Sequence, residues 1–153
     1  MRAKRGRRIR GLIVRWPYVE MLAEGTKKWE IRKANTRFRG VVALLSRGWL
    51  YGFAELTDSF KMSVAELRRY GRLHRANDML KEYAGDRDTL YVWVFRRPLK
   101  LPRPVKVTYA RGARIWVQLE ERKVFEALKE RKYYKELQAL LSMLRRSGYN
   151  YRK

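Results

Sequence analysis

The sequence lacks cysteine and contains a single histidine, His74, among its 153 residues. Without thiols the chain can form no disulfide and offers no thiolate nucleophile. Zinc sites are built mainly from cysteine and histidine, and no acidic cluster stands in the sequence to hold another cation. We therefore expect neither a metal site nor a cofactor.

Long apolar runs are also missing. The sequence contains no apolar stretch of the roughly 18 residues that a membrane-spanning helix needs, and nothing resembles the apolar core of a secretory signal. We expect no membrane partner and a cytoplasmic location.

Acidic residues are few, with 15 Asp and Glu against 38 Lys and Arg, which leaves a net charge of +23. A compact domain with this imbalance repels itself and favours a polyanionic partner. Hydrophobic residues make up 46% of the chain and aromatic residues 13%, too much for a disordered basic tail. The sequence therefore predicts one folded domain that binds nucleic acid.

The hydrophobic pattern predicts an α+β fold, a small barrel or curled sheet with inserted helices. Strands are predicted over residues 11–15, 28–33, 41–46, 50–56, 89–95 and 114–119. Helices are predicted over residues 17–24, 63–70, 73–83 and 120–147, with Gly148 ending the last. Residues 96–112 hold three prolines and six basic residues, and we expect them to be extended and rich in turns.

This pattern divides the chain into three parts. Residues 1–10 are expected to form a basic N-terminal arm or the approach to the first strand. Residues 11–119 form the predicted domain, and residues 120–153 a C-terminal helix that packs on the barrel. We expect a monomer rather than a dimer.

The stretch from Trp16 to Gly40 carries the most informative chemistry. Residues 28, 30 and 32 share one face of an extended strand, so Glu30 and Arg32 lie side by side, with Lys27 at the preceding turn. Glu30 can hold Arg32 by a charge-assisted hydrogen bond. Positive groups beside Trp16 can then bind phosphate while the aromatic ring stacks on a base.

These residues resemble a family pattern. Gly25, Lys27, Glu30 and Arg32 match the G-x-K-x-x-E-x-R signature of the ASCH domain family, which is part of the PUA-like superfamily. Strand-like segments at residues 39–47 and 51–58 continue the likeness, and P-V-x-V-x-x-x-x-G-A-x-x-W at residues 104–116 resembles the closing segment of PUA-like barrels. The resemblance covers roughly residues 11–119, and we expect an archaeal member.

The resemblance implies a PUA-like β-barrel with a cleft beside the first helix, and RNA as the partner. Some similar proteins hydrolyse N4-acetylcytidine with a lysine, a threonine nucleophile and a glutamate. Lys27 stands at the lysine position, but Glu30 stands at the threonine position and has no hydroxyl. The third position falls within residues 70–75, which contain no carboxylate. An RNA-binding module is therefore the leading hypothesis.

The alternative is an RNA-processing enzyme, a ribonuclease or an N4-acetylcytidine amidohydrolase, that uses Lys27 and Glu30 as catalytic residues. DNA is the alternative partner to single-stranded or structured RNA, because contacts to phosphate do not select the sugar. We expect His74 to be a surface or turn residue.

Twelve residues are candidates for nucleic-acid binding. The basic ones would contact phosphates, the aromatic ones would stack on or enclose a base, and the carboxylate would orient Arg32 or accept from a base amino group. The candidates are Trp16, Tyr18, Lys27, Glu30, Arg32, Lys33, Arg37, Arg39, Arg47, Tyr109, Arg111 and Arg114.

Overall fold

A computed structural model describes residues 6–147 of the chain. The strands are β1 (Arg8–Ile13), β2 (Trp29–Arg32), β3 (Gly40–Ser46), β4 (Trp49–Ser63), β5 (Thr89–Lys106) and β6 (Trp116–Glu120). The helices are α1 (Tyr18–Glu24), α2 (Val64–Leu67), α3 (Gly71–His74), α4 (Asn77–Ala84), α5 (Glu121–Glu130) and α6 (Tyr134–Arg146), with a 3₁₀ turn at Arg68–Tyr70. The α+β class predicted from the sequence is confirmed.

All six strands belong to one sheet in the order β2-β5-β4-β3-β1-β6. Only β1 and β3 pair in parallel, and the other neighbouring strands are antiparallel. The parallel pair requires a crossover, and α1 and β2 lie within it. This crossover brings the signature segment to one side of β1.

Side chains connect the two ends of the sheet, the β2–β5 pair at one end and the β1–β6 pair at the other. Arg32 of β2 donates a hydrogen bond to the carbonyl of Ile13 at the end of β1, over 2.9 Å. Trp93 of β5 and Trp116 of β6 stack with ring centroids 5.5 Å apart. The sheet therefore curls into a barrel-like form, although β2 and β6 stay its outer strands and are not joined by a backbone ladder.

The helices α5 and α6 cover one face of this sheet. Their apolar residues share a buried cluster with residues of the sheet such as Ile9, Phe53 and Leu119. The prediction of one helix over residues 120–147 is wrong, because the chain breaks between α5 and α6, where Lys132 adopts a positive φ of 61°. Gly148, the predicted end, lies outside the described residues.

Strand β5 corrects the prediction for residues 96–112. The chain stays in the sheet as far as Lys106, because register shifts against β4 accommodate its prolines. Pro98, for example, lies between the pairs Glu55↔Arg96 and Phe53↔Leu99. The pairing of β2 with β5 reaches only Val94, so beyond it one edge of β5 has no partner among the described strands, and proline is tolerated at such an edge.

Three further boundaries differ from the prediction. Strand β1 begins at Arg8, so residues 8–10 belong to the sheet, while residues 1–5 of the predicted arm lie outside the described part. Strand β4 extends to Ser63, seven residues past the predicted end at Leu56. The helix predicted over residues 73–83 is two helices, separated at Arg75, which has a positive φ of 59°.

The longest described helix, α6, has 13 residues. No helix within residues 6–147 is long and apolar enough to cross a membrane.

Candidate functional site

A cleft of about 1060 Å³ opens between the end of β1, the turn from β3 to β4, and helix α4. This volume is slightly above the range of roughly 300 to 1,000 Å³ that is typical of small-molecule sites in proteins. The residues that line it are Ile13, Val14, Arg15, Trp16, Tyr18, Lys27, Glu30, Ile31, Arg32, Lys33, Ser46, Arg47, Trp49, Tyr51, Ala76, Met79, Leu80, Glu82, Tyr83 and Arg114.

The signature residues reach this cleft through the turn that follows α1. Gly25 ends the helix with a positive φ of 91°, as predicted for a C-cap glycine. Lys27 follows, and only 2% of it is exposed. Its Nζ donates to the carbonyl of His74, lies 3.4 Å from Glu30 Oε1, and lies 4.9 Å from the centre of the Tyr18 ring.

The predicted hydrogen bond between Glu30 and Arg32 is confirmed. Arg32 donates from Nε over 2.8 Å to Glu30 Oε2, and its Nη2 lies 2.7 Å from the same oxygen. Since Nη2 also donates to the Ile13 carbonyl, the pair braces β2 against the end of β1. The pair therefore serves the fold as well as lining the cleft.

For both Glu30 and Lys27, burial and the oppositely charged neighbours shift the pKa in opposite directions. Burial raises the pKa of Glu30, but the positive charges of Arg32 and then Lys27 outweigh it and hold the pKa below its usual value. Burial lowers the pKa of Lys27, and the attraction of Glu30 offsets only part of that shift. The carboxylate is thus stabilised in its charged form, whereas the ammonium group is partly destabilised by its surroundings.

His74 is fully buried, so the expectation of a surface residue is wrong. Its Nδ1 accepts a hydrogen bond from the amide of Ala76 over 3.0 Å, so Nε2 carries the proton and donates to the Leu67 carbonyl over 2.7 Å. Burial lowers the pKa of His74 below the usual histidine value of 6.5. The neutral imidazole therefore holds together the segment whose carbonyl accepts from Lys27.

This lowered pKa predicts a pH dependence of stability. Below about pH 6.5 the unfolded chain binds a proton at His74 that the folded chain does not, so the free energy of unfolding decreases as the pH falls. The slope should be at most about 1.4 kcal/mol per pH unit between pH 7 and 5.5. Urea unfolding across this range measures it.

Because His74 is the only histidine in the chain, the variant His74→Gln is a direct control. The variant should be less stable than the wild type at pH 7, and its free energy of unfolding should no longer change with pH over this range. An unchanged slope in the variant would contradict the assignment, as would an imidazole signal that titrates at the usual pH.

Two of the polar groups in the cleft that are free to bind a ligand belong to Arg32 and Ser46. Among residues 6–147, Ser46 Oγ and Arg32 Nη1 take part in no hydrogen bond, and both atoms keep some contact with solvent although Ser46 as a whole is only 6% exposed. Arg32 is otherwise fixed by Glu30 and Ile13. Its Nη1 is therefore a preoriented donor in the same cleft as the Ser46 hydroxyl group.

Exposed cations surround the cleft. Within the described residues, Arg15, Arg47 and Arg114 make no ion pair with any carboxylate. Lys33 lies with its Nζ 4.8 Å from the centre of the Tyr83 ring. These side chains can neutralise phosphate without first breaking an ion pair.

The structure places eight of the twelve candidates in the cleft and four outside it. Arg37, Arg39, Tyr109 and Arg111 do not line the cleft. Arg39 instead donates to the carbonyls of Thr36 and Phe38 and to the Ser59 hydroxyl. Tyr109 accepts a hydrogen bond from the amide of Gly48 over 2.8 Å, so it fixes the turn between β3 and β4.

Sequence reasoning missed several residues that line the cleft. They are Arg15, Ser46, Trp49, Tyr51, Glu82 and Tyr83. The helical spacing of α4 was visible in the sequence, but no local signal showed that its Glu82 and Tyr83 lie across from the signature residues. Within residues 6–147, no group of three potential metal-ligating side chains occurs.

Comparisons with known proteins agree with this fold. A family model described as ASCH domain matches residues 12–150, a range that includes α5 and α6. The crystal structure of ASCH from Zymomonas mobilis superposes with a TM-score of 0.62 at 15% identity, covering 88% of this chain and 94% of that one.

Structures of two variants of the Zymomonas mobilis protein superpose similarly. A serine-to-alanine variant has a TM-score of 0.65 at 14% identity, covering 79% of this chain and 94% of that one. A tyrosine-to-phenylalanine variant has a TM-score of 0.65 at 14% identity, covering 80% of this chain and 98% of that one. No curated protein matches the sequence.

Proposed function

Since the chain belongs to the ASCH domain family, whose members are generally proposed to bind RNA, we propose that it binds RNA and holds one unpaired nucleotide in the cleft. The observation that carries the proposal is the combination of three unpaired arginines, Arg15, Arg47 and Arg114, with aromatic rings in one cleft. Arginines neutralise phosphate and aromatic rings stack on unpaired bases, so this combination is typical of single-strand binding.

The contacts of the nucleotide follow from the free groups. The rings of Trp16 and Tyr18 offer stacking surfaces, and 59% of Trp16 is exposed although its Nε1 donates to Glu20. Arg32 Nη1 and Ser46 Oγ supply hydrogen bonds inside the cleft. Lys27 and Glu30 are nearly buried and bonded to each other, so we assign them to holding Arg32 rather than to contacting phosphate.

A competition experiment tests the RNA proposal. Labelled single-stranded RNA is displaced by matched unlabelled RNA, single-stranded DNA or duplex DNA at several salt concentrations. We expect RNA to compete best, and the logarithm of the affinity to fall with the logarithm of the salt concentration as phosphates release counterions. Salt-insensitive binding, or stronger competition by duplex DNA, would contradict the proposal.

RNA processing is the second candidate, and one observation favours it. Glu82 of α4 is an exposed carboxylate in the same cleft as Lys27, and a carboxylate can serve as a general base. Wild-type protein and Glu82→Gln are incubated with labelled RNA and with N4-acetylcytidine. Product from the wild type alone, with equal RNA affinity of both proteins, would support an enzyme, and no product from the wild type would reject it.

A further inference from the structure

The cleft does not end at its signature residues, because Trp49 lies at its rim. Trp49 is the first residue of β4, lines the cleft together with Arg47 and Arg114, and is 37% exposed. Burial of aromatic side chains is favourable, so an exposed indole that adjoins a cleft marks a contact surface more readily than a packing residue.

The backbone turn that leads to this indole is fixed by its neighbours. Arg47 and Gly48 both adopt positive φ, 51° and 86°, which forms a two-residue turn with Trp49 at its exit. The amide of Gly48 donates to Tyr109, and its carbonyl accepts from Val107 over 3.0 Å. The turn is thus held from both sides, so a ligand that stacks on Trp49 loses little free energy in ordering the platform.

On the neighbouring strand β5, the charged residues close to Trp49 are all positive. Lys106 pairs with Trp49 in the ladder between β4 and β5, and its Nζ lies 5.3 Å from the centre of the indole. Residues 96–114 contain no acidic residue. A ligand on this surface therefore meets an aromatic face and positive side chains, which is the combination that binds the base and the phosphate of a nucleotide.

We propose that Trp49, with Lys106, forms a second nucleotide subsite, on which a base of the same RNA strand stacks while an adjacent nucleotide occupies the cleft. This inference rests on the proposed function and extends it, because it makes the ligand a single strand of at least two nucleotides. A base inside a duplex is already stacked on both sides and cannot use the platform.

The test compares ligands of two lengths and substitutions of one side chain. Trp49→Leu keeps an apolar side chain but removes the π-system, whereas Trp49→Tyr keeps an aromatic face. Tyr134→Leu is the matched control, since Tyr134 is a 56% exposed aromatic residue that does not line the cleft. Dissociation constants are measured for a single-stranded RNA tetranucleotide and for a nucleoside monophosphate, after circular dichroism shows that each variant is folded.

We expect Trp49→Leu to weaken tetranucleotide binding about tenfold, the effect of one lost stacking contact. The same variant should bind the monophosphate like the wild type, and the tyrosine and control variants should stay within about threefold of the wild type for both ligands. Equal effects of Trp49→Leu on the two ligands, or no effect on either, would overturn the second subsite.

The outcomes also separate this inference from the proposed function. If substitution of the unpaired arginines weakens RNA binding but Trp49→Leu does not, RNA still binds in the cleft and only the platform is rejected. If the wild type binds no single-stranded RNA, both proposals fail. Preference for duplex over single-stranded RNA would also reject the platform.

Discussion

Replacing Glu30 by glutamine should lower the free energy of unfolding by about 3 to 5 kcal/mol, the cost of removing one partner from a buried ion pair. Glu30 is 7% exposed and Lys27 is 2% exposed, so water cannot replace the lost carboxylate. Glutamine carries no charge and offers only one oxygen, so Arg32 and Lys27 would lose their shared negative partner and would face each other as like charges. Urea unfolding followed by tryptophan fluorescence at neutral pH measures the change.

The chain offers a matched control for this prediction. Glu82 lines the same cleft but is exposed and makes no ion pair within the described residues, so Glu82→Gln should change stability by less than about 0.5 kcal/mol. If Glu30→Gln were as stable as Glu82→Gln, the bracing role of the Glu30–Arg32 pair would be wrong.

The pKa of Glu30 is lower in the folded chain than in the unfolded chain. The stability that its carboxylate contributes is therefore fully present above the unfolded pKa near 4.5, and it is lost as the pH falls through the folded pKa.

The second large effect concerns RNA affinity. Substituting Arg15, Arg47 and Arg114 together by glutamine should weaken binding of single-stranded RNA about 100-fold at 50 mM salt. Each phosphate contact on a single strand contributes about 0.7 to the slope of the logarithm of affinity against that of salt, so the slope should fall by about 2. Within residues 6–147, none of the three arginines forms an ion pair with a carboxylate, so the free energy of unfolding should change little.

A control outside the cleft makes this result specific. Arg37 and Arg111 are exposed and do not line the cleft, so the double variant Arg37→Gln with Arg111→Gln should lose much less affinity. Affinity would be measured by fluorescence anisotropy from 50 mM to 500 mM salt. If the two variants lost the same affinity, net charge would explain the binding and the cleft would not.

The signature cluster was predictable because its geometry is local. Glu30 and Arg32 are two residues apart in one strand, so alternation alone places them side by side. The other acceptor of Lys27, the carbonyl of His74, lies 47 residues further along the chain. That contact depends on how α3 packs, and no local pattern encodes it.

Charge alone could not separate the arginines that line the cleft from those that do not. Arg39 and Arg47 are both exposed and both follow the signature strand, yet Arg39 is bonded to its own loop while Arg47 lines the cleft. The same limit applies to β5. Its prolines are normally turn signals, but the strand continues through Pro98 because a bulge and a free edge remove the need for the missing N–H.

The most direct test of RNA binding in the cleft uses the indole N–H signals of the five tryptophans. Trp16 and Trp49 line the cleft, whereas Trp29, Trp93 and Trp116 do not. In a titration of ¹⁵N-labelled protein with a single-stranded RNA tetranucleotide, we expect the signals of Trp16 and Trp49 to shift and the other three to stay in place. Shifts confined to Trp29, Trp93 or Trp116, or saturable RNA binding that moves none of the five, would contradict the account.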